Sequence, residues 1–184
     1  LALEDALARR KEAGTPGRTT PRIIARGDGW TVADVVCTSG PQDRPFEERH
    51  THYTIAIVLA GSFQYRSDHG RGLMTSGSLM LGNAGDCFVC GHQHGEGDRC
   101  VSFWYADDYF ERLAADAGAR RRPAAFSVPR LPPLPMLSPL VARAGAGAIG
   151  AGVPWEELAV TLAVTTVRAA AACGGRPCGA AART

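Results

Sequence analysis

The chain has 184 residues, a length that favours one domain with at most a small addition. Its content of 45% hydrophobic and 21% charged residues excludes a disordered or fibrous chain. With 20 basic and 18 acidic residues the formal net charge is only +2, which argues against nucleic-acid binding by this chain alone. Because no apolar run approaches the roughly 20 residues of a membrane span, and no signal peptide is recognisable, we expect a cytoplasmic protein without membrane contact and with reduced cysteines.

The first part of the chain is predicted to be an arm followed by a β-domain. Residues 1–21 contain a short amphipathic segment that Gly and Pro then interrupt, so we expect a peripheral arm. Residues 22–106 alternate short β-rich runs with turn residues, and this spacing predicts a β-sandwich or small barrel. The strongest strand signal covers 52–59 and ends at Gly61. Two further strands, 87–92 and 99–105, flank a Gly-containing loop and predict a hairpin.

The second part of the chain is predicted to be helical over residues 107–173, with a linker tail over 174–184. Pro154 suits the start of the last helix, and Glu156 in its first turn suits the positive end of the helix dipole. This helix carries two apolar faces, one with Leu158 and Leu162 and the other with valines. We therefore expect it either to pack on both the β-domain and a partner subunit, forming a homodimer, or to bury both faces within one chain.

A cluster of metal-ligating side chains falls in the predicted hairpin. Three Cys and two His lie within fourteen residues: Cys87, Cys90, His92, His94 and Cys100. Thiolate and imidazole are the ligands that suit zinc. In a hairpin centred on Glu96, His92 lies opposite Cys100 and on the same face as Cys90. These three side chains are therefore predicted to converge on one ion.

The fourth ligand and the role of the cluster remain open at this stage. His50 is our choice for the fourth ligand, His52 is the neighbouring option, and Cys37 and His94 are less direct. The first alternative is structural packing, since buried cysteines behave as small hydrophobes. The second is a metal-free thiol redox sensor with a reversible Cys90–Cys100 disulfide. Asp98 with Arg99 is interpreted as a turn or a hairpin ion pair.

His50 and His52, followed by Gly61, are similar to the His-x-His pair with which cupin metalloenzymes begin their metal site. The usual completion is a carboxylate a few residues later and a third His on a distant strand. No carboxylate lies between His52 and Gly61, and Cys87 or Phe88 stands where the third His is expected. The expectation is therefore that the chain is not an enzyme, with a small cupin metalloenzyme of the dioxygenase or isomerase type as the alternative.

Several stretches together resemble the N-terminal sensing domain of AraC/XylS-type bacterial transcription regulators. They are residues 48–50, 57–65, 77–83 and 91–100, of which the last is the most distinctive. The resemblance implies a mainly β fold, a cupin-like β-barrel or jelly roll, followed by C-terminal α-helices used for dimerisation. It also implies DNA binding by a further domain with two helix–turn–helix motifs. None can be placed after residue 172, so we expect DNA contact only through a domain that this chain lacks.

The sequence thus predicts the effector-sensing and dimerisation domain of a transcription regulator, with a small molecule or a metal as effector. The predicted zinc ligands are Cys90, His92, Cys100 and His50. The predicted effector-binding residues, at the barrel mouth, are His52, Phe63, Tyr65 and Trp104.

Overall fold

The computed structural model describes residues 3–45, 47–93, 95–119 and 125–173. Its strands are β1 Thr19–Gly27, β2 Trp30–Cys37, β3 Glu47–Arg49, β4 Tyr53–Ser67, β5 Gly70–Thr75, β6 Leu79–Gly82, β7 Cys87–Gly91, β8 Asp98–Tyr105 and β9 Arg130–Leu131. Its helices are α1 Leu3–Ala13, α2 Asp107–Asp116, α3 Ser138–Ala148 and α4 Trp155–Cys173, with a 3-10 turn at Pro135–Leu137 before α3. Residues 174–184, predicted to be a linker tail, lie outside this description.

Two antiparallel sheets share one long strand. The larger sheet has the order β1-β2-β8-β4-β6-β9, and the smaller one joins β3, β7, β4 and β5. The first part of β4 pairs with β8, and the part after Gly61 pairs with β5 and β7. Gly61 has a φ of +76°, and a Cβ there would lie 2.2 Å from the carbonyl oxygen of Gly97. Only glycine combines that backbone conformation with so close an approach.

Side chains along each strand of the larger sheet point alternately to its two faces, and both faces are covered. On β8, Val101, Phe103 and Tyr105 belong to the core that α2, α3 and α4 complete. The alternate residues Cys100 and Trp104 face the space between the two sheets instead. The Tyr105 hydroxyl donates a 2.9 Å hydrogen bond to the Ala159 carbonyl, which ties α4 to this strand. The sheet is thus a wall between a helical layer and an interior cavity.

The prediction of a mainly β fold followed by C-terminal helices is confirmed. The arrangement is jelly-roll-like, with two sheets that face each other across the cavity. It is not a closed barrel, because among the described strands the edges β1 and β9 of the larger sheet do not pair with each other. Of the two predicted architectures, the jelly roll therefore describes the fold, and the closed β-barrel does not.

The predicted hairpin over 87–92 and 99–105 is wrong. β7 and β8 lie in different sheets, and each pairs with a different part of β4. The physical reason is the length of β4, which at 15 residues is long enough to serve both sheets. The Gly-containing segment after β7 is therefore a crossing between sheets and not a hairpin loop.

The last helix buries one face against the sheet and other helices. Its fully covered side chains include Leu158, Leu162 and Thr166. Val160 and Val167, on the second predicted face, are half-buried and pack against the same core. The homodimer through the C-terminal helices stays a prediction. Among the described residues, no helix has the length and apolarity to cross a membrane.

Candidate metal centre

A cavity of about 230 Å³ lies between the two sheets. Its lining includes seven side chains of the types that can bind metals, namely Cys37, Glu48, His50, Cys90, His92, Asp98 and Cys100. Cys37 comes from the end of β2, Cys90 from β7, and Asp98 and Cys100 from β8. The cavity therefore collects donors from both sheets.

Three of these side chains form a tight cluster. One donor atom from each of Cys37, His92 and Asp98 lies within 4.8 Å of the other two, and all three residues are buried. Nε2 of His92 lies 2.7 Å from Oδ1 of Asp98. The imidazole of His92 also shares a hydrogen bond with the Cys37 thiol. We call these three residues the Cys–His–Asp cluster.

The cluster residues shift one another's protonation. Burial alone would lower the pKa of His92, but the hydrogen bonds to Asp98 and Cys37 outweigh it and raise that pKa to about 9. Burial favours the neutral thiol of Cys37, yet the hydrogen bond from His92 leaves the pKa of this thiol below its usual value. The raised pKa favours a protonated His92 at neutral pH, hydrogen-bonded to both Asp98 and Cys37.

Only one of the four predicted zinc ligands belongs to the Cys–His–Asp cluster, and it is His92. Cys90 and Cys100 line the same cavity, and the Cys100 thiol donates a 3.4 Å hydrogen bond to Oδ2 of Asp98. Burial raises the pKa of both of these thiols well above its ordinary value. Both thiols are therefore neutral at physiological pH, and both lie in the wall of the same cavity.

The fourth predicted ligand, His50, is engaged elsewhere in the cavity wall. Its Nε2 lies 2.9 Å from the hydroxyl of Tyr65, and its ring stacks on Phe88 at 4.1 Å between centroids. Burial lowers the pKa of His50 to about 4, so the ring is neutral at physiological pH. His50 is thus a buried, neutral hydrogen-bonding group beside the cluster and not one of its members.

The predicted effector-binding residues separate into two groups. Phe63 and Trp104 line the cavity. Tyr65 is buried behind it, where its hydroxyl contacts His50 and the Leu81 carbonyl at 3.3 Å. His52 is exposed and its Nδ1 contacts the Thr51 hydroxyl, so its predicted place in the pocket is corrected. The physical reason is that strand β4 begins only after His52.

Sequence reasoning gave Cys37 only as a less direct choice of ligand and did not place Asp98 in the site. The signal for Cys37 was its position at the end of the run 31–37, two residues after Val35, which shares its inward face. Asp98 was interpreted as part of a turn because the hairpin register placed it near the tip. His94, the less direct ligand choice, lies outside the described residues.

The donor set of the Cys–His–Asp cluster fits zinc. A thiolate sulfur, an imidazole nitrogen and a carboxylate oxygen are the three ligand types that zinc accepts. One acidic, one thiol and one imidazole side chain do not match the two-His, one-carboxylate set of non-haem iron centres. Three protein donors are also the number that catalytic zinc sites use, whereas structural zinc sites use four.

Comparison with known proteins gave no match to a protein-family model. No curated protein matches the chain in sequence either. Among solved structures, a cupin superfamily protein from Desulfitobacterium hafniense is 12% identical, with a TM-score of 0.42 over 50% of this chain and 82% of that one. The DMSP lyase DddQ from Ruegeria pomeroyi is 15% identical, with a TM-score of 0.42 over 49% and 48%. The iron(II) form of HppE in complex with substrate is 11% identical, with a TM-score of 0.42 over 47% and 53%.

One prediction is corrected by these comparisons. The expectation from the sequence that this chain is not an enzyme is wrong as an exclusion, because the solved structures to which it is similar include enzymes. The incomplete His-x-His pattern carried that exclusion, whereas the cluster that could hold a metal consists of Cys37, His92 and Asp98. At this level of identity and superposition, the similarity itself carries no statement about substrate or reaction.

Proposed function

We propose that this chain is a metal-dependent enzyme whose interior cavity holds a divalent cation, zinc first, together with a small polar organic ligand. The single observation that carries the proposal is the convergence of Cys37, His92 and Asp98 within 4.8 Å at the wall of that cavity. A zinc ion bound there would polarise a carbonyl or phosphoryl oxygen or lower the pKa of a bound water.

Other residues of the cavity have different roles, which follow from their positions. Before a metal binds, Asp98 accepts a hydrogen bond from His92, which holds these two donors 2.7 Å apart at the place where the metal would bind. Phe63 and Trp104 supply apolar surface for the ligand, since pockets for small molecules combine aromatic walls with few polar groups. His50 lines the cavity with a ring that burial keeps neutral, so it can contact a ligand there through a hydrogen bond without adding charge.

As a second candidate, we propose the function expected from the sequence, an effector-sensing domain of a transcription regulator. In an AraC/XylS-type regulator the same cavity would bind an effector, and the C-terminal helices would transmit its occupancy. The bond from Tyr105 to Ala159 supports this proposal, because β8 carries Asp98 and Cys100 on its inner face and holds α4 on its outer face. A ligand can act in this way only if it binds two arrangements of the helices with different affinity.

Metal analysis tests the site. Protein purified under reducing conditions without chelator should retain close to one equivalent of zinc, and Cys37→Ser should lose most of it. Cys87→Ser is the matched control, since Cys87 is a free thiol outside the cavity lining. Retention below about 0.2 equivalents of any transition metal, or equal loss in both variants, would contradict the proposal.

Turnover separates the enzyme from the sensor. The metal-loaded protein is incubated with a panel of small hydroxy and keto acids, and their NMR signals are followed over time. Conversion that requires both the metal and His50 supports the enzyme. Saturable binding without conversion, accompanied by altered protection of α4 in hydrogen exchange, supports the effector-sensing alternative.

Metal-free thiol chemistry is the third candidate, and the hydrogen bond between His92 and Cys37 favours it. A low-pKa thiol beside an imidazolium is the usual setting of a reactive cysteine. Peroxide would oxidise the Cys37 thiolate to a sulfenic acid and release hydroxide. Attack by the thiol of Cys90 or Cys100 would then form a disulfide and release water. Mass spectrometry of metal-free protein after mild peroxide treatment tests it.

A further inference from the structure

A second cavity, of about 730 Å³, lies on the opposite face of the larger sheet, beneath α1. Its floor is formed by side chains of β1 and β2, and its roof by α1 and the turn that follows it. We call it the arginine cavity, because four arginines are among its lining residues: Arg9, Arg10, Arg18 and Arg22. Nothing in the proposed metal-dependent reaction uses this cavity.

The alternation of β2 sets the two cavities back to back. Val35 and Cys37 face the interior cavity, whereas Asp34, Val36 and Thr38 face the arginine cavity. Strand β2 is therefore the shared wall. A ligand on the outer side would lie one strand away from the Cys–His–Asp cluster, in a separate chamber.

The positive charge in the arginine cavity exceeds what the protein neutralises. Among the described residues that line it, Asp34 is the only acidic one, and this carboxylate already binds Arg22 at 2.9 Å and Arg99 at 2.8 Å. Arg10 is paired with Asp43 at 2.7 Å. In the part of the chain that the structure describes, neither Arg9 nor Arg18 has a carboxylate within ion-pair distance. Two guanidinium groups are thus available at one cavity.

The roof of the cavity is held by polar contacts together with half-buried apolar side chains such as Leu3 and Leu7. Helix α1 buries none of its residues. Arg10 anchors its last turns, through hydrogen bonds to the carbonyl of Thr38 and to the carboxylate of Asp43. The space left beneath the helix falls within the roughly 300–1,000 Å³ range of small-molecule sites. Its walls are largely apolar, with Ala6, Ala13, Pro16 and Val36, and they also carry hydroxyl groups from Thr20 and Thr38.

We propose that the arginine cavity is a second ligand site, which binds a small organic dianion such as a phosphate monoester or a dicarboxylate. Arg9 on α1 and Arg18, which directly precedes β1, supply the two free charges, and both side chains are exposed to solvent at the edge of the cavity. A guanidinium presents paired N–H donors that match the two oxygens of a carboxylate or phosphate, so arginine is the side chain suited to this recognition. Threonine hydroxyls are present to contact the rest of the ligand.

Isothermal titration with phenyl phosphate and with succinate tests the proposal. The protein is first freed of metal and then dialysed out of chelator, because phosphate and carboxylate also coordinate metals. Phenol and succinamide are the uncharged matched ligands. We expect saturable binding of at least one dianion with a dissociation constant below about 1 mM, and no binding of either uncharged compound.

Variants assign the binding to this cavity. The double variant Arg9→Gln/Arg18→Gln should weaken dianion binding by about tenfold or more, whereas Arg26→Gln, an exposed arginine of β1 outside the cavity lining, should leave it unchanged. Cys37→Ser should also leave it unchanged, which distinguishes this site from the metal centre. Absence of dianion binding, equal affinity in the double variant, or loss of binding in Cys37→Ser would each overturn the proposal.

Discussion

Nε2 of His92 lies 2.7 Å from Oδ1 of Asp98, although the two residues belong to different sheets. His92 comes directly after β7 of the smaller sheet, and Asp98 begins β8 of the larger sheet. This bond joins the end of β7 to the start of β8 across the interior cavity. Cys37 completes the cluster from a third strand, β2. The centre therefore exists only when both sheets are assembled, and its geometry reports directly on the fold.

Thiol reactivity in the metal-free protein should follow the different surroundings of the cysteines. The pKa of Cys37 lies below its usual value because His92 donates to the thiolate, while burial raises the pKa of Cys90 and Cys100. At neutral pH, iodoacetamide should therefore modify Cys37 before the other two. Peptide mapping by mass spectrometry measures the order. Faster labelling of Cys90 or Cys100 would contradict the arrangement.

Zinc should abolish this order of reactivity. A thiolate that coordinates zinc is no longer a free nucleophile, so the metal should slow the alkylation of Cys37 while leaving that of Cys87 unchanged. Cys87 is the internal control because it is a free thiol outside the cavity lining. Equal protection of both cysteines would indicate general stabilisation and not coordination.

Removal of His50 should flatten the acid side of the stability profile. The pKa of His50 is lowered to about 4 in the folded protein, whereas an unfolded histidine has a pKa near 6.5. Between these values the unfolded state binds more protons, so the free energy of unfolding falls as pH drops from about 6.5 towards 4. In His50→Asn this part of the slope should disappear. Urea unfolding across that range measures it, with His52→Asn, at an exposed position, as the control.

Asp34 should be a main electrostatic support of the larger sheet. Burial would raise its pKa, but hydrogen bonds and charges from Arg99 and Arg22 outweigh this and hold the pKa below its usual value. Asp34→Asn should therefore cost about 3 kcal/mol in the free energy of unfolding at neutral pH, because it leaves the half-buried Arg99 without its anion.

The sign of the pH effect at Asp34 follows from its lowered pKa. The stabilisation is complete above the ordinary pKa of aspartate, near 3.9, and is lost as pH falls through the lower folded value. The difference between wild type and Asp34→Asn should therefore shrink at strongly acidic pH. Asp116→Asn, at an exposed position, should show no such difference at any pH. A constant difference down to acid would contradict the pairing.

Gly61 should resist substitution. Its φ of +76° disfavours any side chain, and a Cβ would meet the Gly97 carbonyl at 2.2 Å. Gly61→Ala should lower the free energy of unfolding by about 1–3 kcal/mol, because the backbone of β4 must shift where it passes from one sheet to the other. Gly152→Ala is the matched control, since a Cβ there meets nothing within 4 Å. Equal stabilities of the two variants would contradict this account.

The periodicity of the sequence was sufficient to predict the elements but not their pairing. The alternation of residues 99–105 correctly indicated a strand, and the last helix begins next to Pro154 as its first-turn residues indicated. The partner of a strand depends on contacts distant in sequence, which local patterns do not contain. For that reason the Gly-rich segment before Asp98 was interpreted as a hairpin loop.

The sequence was sufficient to predict several residues that line the cavity, but not which residues form the Cys–His–Asp cluster. Cys90, His92 and Cys100 do line one cavity, because two facing sheets bring them together as a hairpin would have done. Cys37 joined His92 only through the pairing of β2 with β8, over a separation of more than 50 residues. A single sequence offers no pattern for such a contact.

The central claim is that Cys37, His92 and Asp98 bind one metal ion. X-ray absorption at the zinc edge of the loaded protein tests it most directly, because sulfur scatters at about 2.3 Å and nitrogen or oxygen at about 2.0–2.2 Å. The account predicts one sulfur and two or three nitrogen or oxygen neighbours, with the sulfur signal lost in Cys37→Ser and kept in Cys87→Ser. Three or more sulfur neighbours, or none, would contradict it.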